Sequence, residues 1–254
     1  MNRLLSRMIP RSLLLIAGLL LAGTASASEV ELQNFRADYG NVASMQRGAR
    51  NFMAYCSGCH SMKYLRYSRM AEDLKIPEDV LKANLMFATD KTGDPIKSAM
   101  PAAAAEWFGR QPPDLSLESR ARGADWIYTY LQSFYLDDKR PLGVNNTVLP
   151  NAAMPNVLWE LQGWQKKSEA PAESGEHKAA GGEHHGSGFE QVTAGSLSPE
   201  EFKEFVADTT NFMDYAGEPG KRDRIHTGFK VLLFLFLLLI LTYLLKKEFW
   251  RDIH

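Results

Sequence analysis

The residues of this chain best suited to chemistry stand together as Cys56-Ser57-Gly58-Cys59-His60. Two thiols separated by two residues, with an imidazole directly after the second, have three established uses. They form a redox dithiol, they supply half of a zinc site, or they add across haem vinyl groups and place the histidine under the iron. A zinc site wants a second ligand pair, and the chain has only these two cysteines. A redox dithiol has no need of the histidine. The C-x-x-C-H spacing is that of c-type haem attachment, so Cys56, Cys59 and His60 are expected to hold one covalent haem c, with His60 as proximal ligand. With both thiols in thioethers, no intramolecular disulfide is available.

Haem iron has a second axial position. The remaining histidines are His177, His184, His185, His226 and His254. Three lie in a polar tract, one precedes an apolar tail and one is the last residue, so bis-histidine ligation is not expected. A thioether ligand favours reduced iron and raises the potential. Met62 is too close to His60 to reach the other face of a ring, and Met53 and Met70 are on the near side in sequence. Met100 and Met154 both remain, each followed by proline, which stiffens a loop and leaves no N–H to satisfy. Spacing alone does not choose between them, and most methionines are core filler.

The elements that must position these groups lie between two apolar segments. Arg3, Arg7 and Arg11 precede the apolar run Leu13 to Leu21, and Ala25-Ser26-Ala27 follows. This is the pattern of a secretory signal peptide over residues 1–27, cut before Ser28. Export agrees with haem attachment, which takes place outside the cytoplasm. The second segment, residues 229–245, contains eleven consecutive apolar residues from Val231 to Leu241. It is close to the ~20 residues a helix needs to cross a bilayer, and no polar face is left for a buried soluble helix. Lys246, Lys247, Trp250 and Arg251 follow as interfacial anchors. Basic residues flank both ends almost equally, so orientation rests on the signal peptide. The expected order is a periplasmic cytochrome c domain at 28–220, a juxtamembrane stretch at 221–228, the span at 229–245 and a cytoplasmic tail at 246–254. That places the chain in a bacterial inner membrane as a single-pass protein.

Within the domain, Met45 to Cys59 reads as a helix leading into the motif. Trp126, Ile127, Tyr130, Leu131, Phe134 and Tyr135 form an aromatic stripe at helical period. Ser198-Pro199-Glu200-Glu201 is a capping box with proline at the first helical position, and it opens a further helix. Strand signals are few, so the fold is expected to be mainly α. Ser168 to Ser187 carries no apolar periodicity and reads as a mobile, solvated insert; its histidines could bind a metal, but nothing there fixes ligand geometry. Asp137 and Asp138 are candidates for an acidic docking edge, although such residues are more often simply solvated. The formal net charge of −1 argues against nucleic-acid binding.

Taken together, several stretches resemble the cytochrome c1 family, the haem subunit of the cytochrome bc1 complex. They are Cys56-Ser57-Gly58-Cys59-His60-Ser61-Met62 with Tyr64 and Tyr67, Pro112-Pro113-Asp114-Leu115-Ser116, Arg120-Ala121-Arg122-Gly123, Ala153-Met154-Pro155, and Phe212 to Gly228. The resemblance implies that Met154, not Met100, is the distal ligand. It implies that Arg120 pairs with a haem propionate, a fit for a guanidinium fork in a partly dry site. A backbone carbonyl at Pro112 or Pro113 is expected to accept from His60 Nδ1–H and fix the ring. Trp126 departs from the tyrosine common in such proteins, and the 168–187 insert has no counterpart expected in mitochondrial members.

With protein on both axial positions, the iron has no substrate site, and the chemistry implied is outer-sphere transfer of one electron. The resemblance implies a respiratory carrier beside cytochrome b, with the Rieske iron–sulfur protein as donor and a soluble or membrane-bound c-type cytochrome as acceptor. The protein would also contact membrane lipid. The rival is a membrane-anchored c-type cytochrome subunit of a terminal oxidase or other redox complex.

Overall fold

A computed structural model describes residues 31–168 and 188–251. The expected signal peptide, nearly all of the insert and the last three residues lie outside them. Two helices form the frame. Helix α1 (Val42–Tyr55) starts where the Asn41 side chain accepts from the Ser44 amide, and it buries Met45, Gly48, Ala49 and Phe52 at helical spacing. It begins three residues before the expected Met45 and stops at Tyr55, before the motif rather than through it.

The second frame helix is the one that the capping box opens. Pro199–Gly217 starts with Ser198 accepting from the Glu201 amide while the Glu201 carboxylate accepts from the Ser198 amide. Its buried face carries Phe202, Val206, Phe212 and Met213. It packs along α1 at close range. A Cβ added at Gly48 would lie 2.0 Å from the Asp208 carbonyl oxygen, so only glycine permits this approach. Phe52 and Phe212 meet there with ring centroids 5.7 Å apart, each burial contributing about 1.5–3 kcal/mol. A polar seam fixes the register: Ser44 Oγ and the Arg47 guanidinium both donate to buried Asp208, at 2.5 and 2.5–2.9 Å.

Between these two lie shorter elements: α2 (Tyr67–Asp73), α3 (Glu78–Asn84), α4 (Ala104–Phe108), α5 (Glu118–Arg122), α6 (Ala124–Gln132) and α7 (Trp159–Gln162). The frame helix Pro199–Gly217 is therefore α8. Gly123 joins α5 to α6 with φ of 93°, a conformation that glycine alone adopts at no steric cost. Among the described residues, β structure is limited to three antiparallel pairs. These are β1 (Met62–Arg66) with β2 (Pro95–Ile96), β3 (Phe134–Leu136) with β4 (Val144–Asn146), and β5 (Gln165–Lys167) with β6 (Phe189–Gln191). The aromatic stripe is thus split. Its helical part ends at Gln132, and Phe134 and Tyr135 belong to β3, where Phe134 pairs with Asn146. Flanking the insert, Ser168 N donates to Gly188 O at 2.8 Å, so the chain leaves and returns at one hairpin end.

The last helix, α9 (Lys221–Phe249), is continuous through the juxtamembrane and span segments. Its 29 residues reach roughly 43 Å at 1.5 Å per residue. Phe229 and Val231 to Leu241 are all exposed, a surface stable only in an apolar surrounding. Its first turn is tied to the domain: Lys221 hydrogen-bonds the Tyr39 hydroxyl, which in turn bonds Asp214.

Candidate functional site

The motif sits in the turn just past α1. The Cys56 and Ser57 amides both donate to the Phe52 carbonyl, and the His60 amide donates to the Cys56 carbonyl at 2.8 Å, which coils the five residues tightly. Neighbours clamp it. Ser57 Oγ donates to Met53 O at 2.8 Å, and Ser98 Oγ donates to Gly58 O at 2.7 Å. Buried His60 has its Nδ1 2.8 Å from the Pro113 carbonyl oxygen. A carbonyl only accepts, so Nδ1 carries the proton and Nε2 keeps a free lone pair. Burial holds the imidazole below its ordinary pKa, against the partial offset of that carbonyl. The Pro-Pro-Asp-Leu-Ser segment is held in turn: Leu115 N donates to Ser61 O, and Asp114 Oδ2 accepts from Lys63 N.

A cleft of about 1270 Å³, counting its open mouth, is lined by Cys56, Cys59, His60 and Met154 together. Met154 reaches it from the loop after β4, and two asparagines that the sequence reading did not single out hold that loop. Buried Asn146 donates to Tyr130 O at 2.8 Å and accepts from the Val148 and Leu149 amides. Asn145 Oδ1 accepts from the Asn146 and Asn151 amides. Its Nδ2 donates to Asp137. Asp137 thereby serves the turn, and that hydrogen bond is the main cause of its lowered pKa. Met100 is not among the cleft-lining residues.

One wall is a ridge at four-residue spacing: Glu118, Arg122, Trp126 and Tyr130 all line the cleft. Glu118 and Arg122 form an ion pair at 2.5 Å. The Arg122 guanidinium lies 4.3 Å from the Trp126 ring centroid. Trp126 stacks on Tyr130 at 4.8 Å and 10°. Arg120 is off this ridge. Two residues from Arg122 on a short helix, it points away, with its Cγ 3.4 Å from where a Gly217 Cβ would stand. Its charge contributes, with that of Arg224, to the lowered pKa of Glu218. The arginines lining the cleft are Arg122 and Arg110, and Arg120, expected to pair with a propionate, is not among them. Counting in fours from Trp126 would have found Arg122.

The chemistry of these groups fits a covalent haem. The cleft offers two thiols, an imidazole with a free Nε2, a thioether, apolar walls and two guanidinium groups. It does not fit a redox dithiol. Such pairs depend on a thiolate stabilised at a helix N-terminus, whereas Cys56 follows the C-terminus of α1, the negative end of the helix dipole. Burial, with the neighbouring Cys59 adding to it, pushes the Cys56 thiol up to about 12. Among the described residues no three His, Cys, Asp or Glu side chains converge to hold an ion directly.

A helical domain with this cleft, carried on one exposed apolar helix, defines a membrane-anchored c-type cytochrome. The Cytochrome C1 family model matches residues 33–253. Cytochrome c1 of Allochromatium vinosum is 50% identical over 248 residues, covering 96% of this chain and 100% of that one. A Nitrosomonas europaea protein named ammonia monooxygenase gamma subunit is 44% identical over 249 residues, covering 98% and 100%. The mitochondrial cytochrome c1 haem protein of Saccharomyces cerevisiae is 25% identical over 239 residues, covering 83% and 67%. The chain belongs to the cytochrome c1 family. It is a one-electron carrier with one covalent haem c, the membrane-anchored subunit that works with cytochrome b and the Rieske protein in the bc1 complex. The rival reading as a terminal-oxidase subunit is not favoured.

Proposed function

We propose that Cys56 and Cys59 would hold a haem through two thioethers, each thiol S–H having added across a vinyl group, that His60 Nε2 and Met154 Sδ would ligate its iron, and that Arg122 and Arg110 would pair with its propionates. When bound, the haem supplies an iron that cycles between Fe(III) and Fe(II). The protein does the rest. His60 is held in one tautomer by Pro113, the methionine loop is held by Asn145 and Asn146, and the apolar walls keep bulk water from the metal's surroundings. The observation that supports this reading most directly is the arrival of Cys56, Cys59, His60 and Met154 in one cleft from segments nearly a hundred residues apart.

In this reading the electron arrives from the Rieske protein and leaves to a soluble or membrane-bound c-type cytochrome. Docking is brief and electrostatic, with a small interface. The domain of residues 28–220 lies on the periplasmic side of a bacterial inner membrane, residues 229–245 cross it among lipid, and the tail is cytoplasmic. Residues 1–27 are removed on export.

Replacing Met154 with leucine tests the ligand set. The expected result is loss of the ferric methionine absorption band, a lower reduction potential and new binding of carbon monoxide to the reduced protein. An unchanged band and potential would exclude Met154. Carbon monoxide binding by the unmodified protein would argue for an open iron, as a ligand-activating oxygenase subunit needs.

A further inference from the structure

We propose that Tyr130 sets the reduction potential of this site by donating a hydrogen bond from its hydroxyl to the Met154 sulfur. The inference rests on the reading of Met154 as distal ligand. Tyr130 Oη lies 3.5 Å from Met154 Sδ, within reach of a large, soft acceptor. Among the described residues this is the hydroxyl's one hydrogen bond. A thioether sulfur has two lone pairs, so one can serve a metal while the other accepts a hydrogen bond. An O–H on the second pair draws density from the sulfur and weakens it as a donor. Oxidised iron needs that donation more than reduced iron, so the bond favours the reduced state and raises the potential. Hydrogen bonding around the ligands is one of the protein's few means of tuning such a metal.

The ring is not free to swing away. It is stacked on Trp126 on one side and meets Phe134 edge-on at 5.1 Å. Its own backbone carbonyl accepts from Asn146, the residue that also pins the start of the methionine loop. Donor and acceptor are thus fixed to one another through a single side chain. A phenol keeps its proton at neutral pH, so the hydroxyl remains a donor. Trp126 stacks on this ring and Arg122 covers Trp126, so the whole ridge from Glu118 onward supports one hydroxyl.

The experiment is Tyr130→Phe in the full haem-loaded chain, with Met154→Leu beside it. Redox titration, the ferric methionine band and carbon monoxide binding are read on both. The expected result for Tyr130→Phe is a lower potential with the band retained and carbon monoxide still excluded. A retained band with an unchanged potential overturns the proposal. Loss of the band with gain of carbon monoxide binding also overturns it, because the hydroxyl would then only hold the loop. If Met154→Leu changes neither band nor potential, it is the ligand reading that fails, a separate outcome. Should Tyr130→Phe not accumulate with haem, the unmodified reduced protein decides by proton NMR. A Tyr130 hydroxyl proton with a nuclear Overhauser contact to the Met154 methyl supports the bond, and a resolved methyl with no such contact refutes it.

Discussion

Asn146 ties the start of the methionine loop to the end of α6. It is 1% exposed. It bonds the Tyr130 carbonyl at the end of α6 and the amides of Val148 and Leu149. Asn146→Ala removes the acceptor of both amides and one of the two donors to the Tyr130 carbonyl, which keeps the Ser133 amide at 3.2 Å. The lost bond to the carbonyl costs about 0.5–1.5 kcal/mol, and the two half-buried amides, which can recruit water, about 0.5–1 kcal/mol each. The sum is about 1.5–3.5 kcal/mol, most of it borne by the closed loop, since an opened loop hydrates the same groups. At 1.4 kcal/mol per tenfold, a loss near 3 kcal/mol raises the open population roughly a hundredfold. With Met154 as the proposed distal ligand, carbon monoxide would bind reduced iron only when the sulfur is away, so its binding rate reports that population. Flash photolysis or stopped-flow mixing with the reduced protein is expected to show binding roughly a hundredfold faster than in the parent. The ferric methionine band should be weakened less than in Met154→Leu. A rate within about threefold of the parent, under ~0.7 kcal/mol, would refute the view that Asn146 holds the ligand loop.

Arg122→Leu and Arg120→Leu separate the two arginines of one short helix: the first should shift the reduction potential and its pH dependence, and the second should leave both unchanged. Equal effects would remove Arg122 from the cleft's electrostatics. The capping box of α8 gives a pH dependence. Hydrogen bonds from the Ser198 amide and hydroxyl hold Glu201 below its ordinary 4.5. A lowered folded-state pKa stabilises above the ordinary value and is lost as pH falls through the lower one. Melting curves of Glu201→Gln and the parent should therefore differ at pH 6 and converge in acid, and a gap that persists at low pH would refute the cap's charge as its source.

Much of this was legible in the residues, and for identifiable reasons. The motif could be read because thiol chemistry tolerates little variation in spacing. The start of α8 was readable because a cap is local: Ser198, Pro199 and Glu201 specify it with no outside partner. The end of α1 was not, because Tyr55 to Cys59 keeps a helical apolar pattern while doubled hydrogen bonds at Phe52 O turn the chain. The end of α6 was missed in the same way. Phe134 and Tyr135 continue the stripe, yet Phe134 is captured by a strand partner, Asn146, that no local signal announces. A carbonyl of Pro112 or Pro113 was expected as the His60 acceptor, and it is Pro113 that stands there, at 2.8 Å. Arg120 was expected on resemblance, whereas four-residue phase from Trp126 leads to Arg122 at the cleft. The asparagines were invisible because a buried amide looks like a surface one until the loops it joins are known.

An electron carrier changes charge by one unit and must change little else, so its site should be rigid before the electron comes. The architecture meets that demand by dividing the work between two bodies of hydrogen bonds. The His60 side is held by the turn after α1 and by the 112–116 segment laid against Ser61 to Tyr64. The Met154 side is held by Asn145, Asn146 and the ridge on α5 and α6. Both are mounted on the pair α1 and α8, whose closest approach is fixed by Gly48 and by the buried Asp208. Loosening either ligand side should thus slow electron transfer through greater rearrangement, with no need to remove a ligand. Asn146→Ala and Tyr130→Phe should diverge on this point. The first frees the loop and the second leaves it closed, so only the first should slow transfer more than its change in driving force explains.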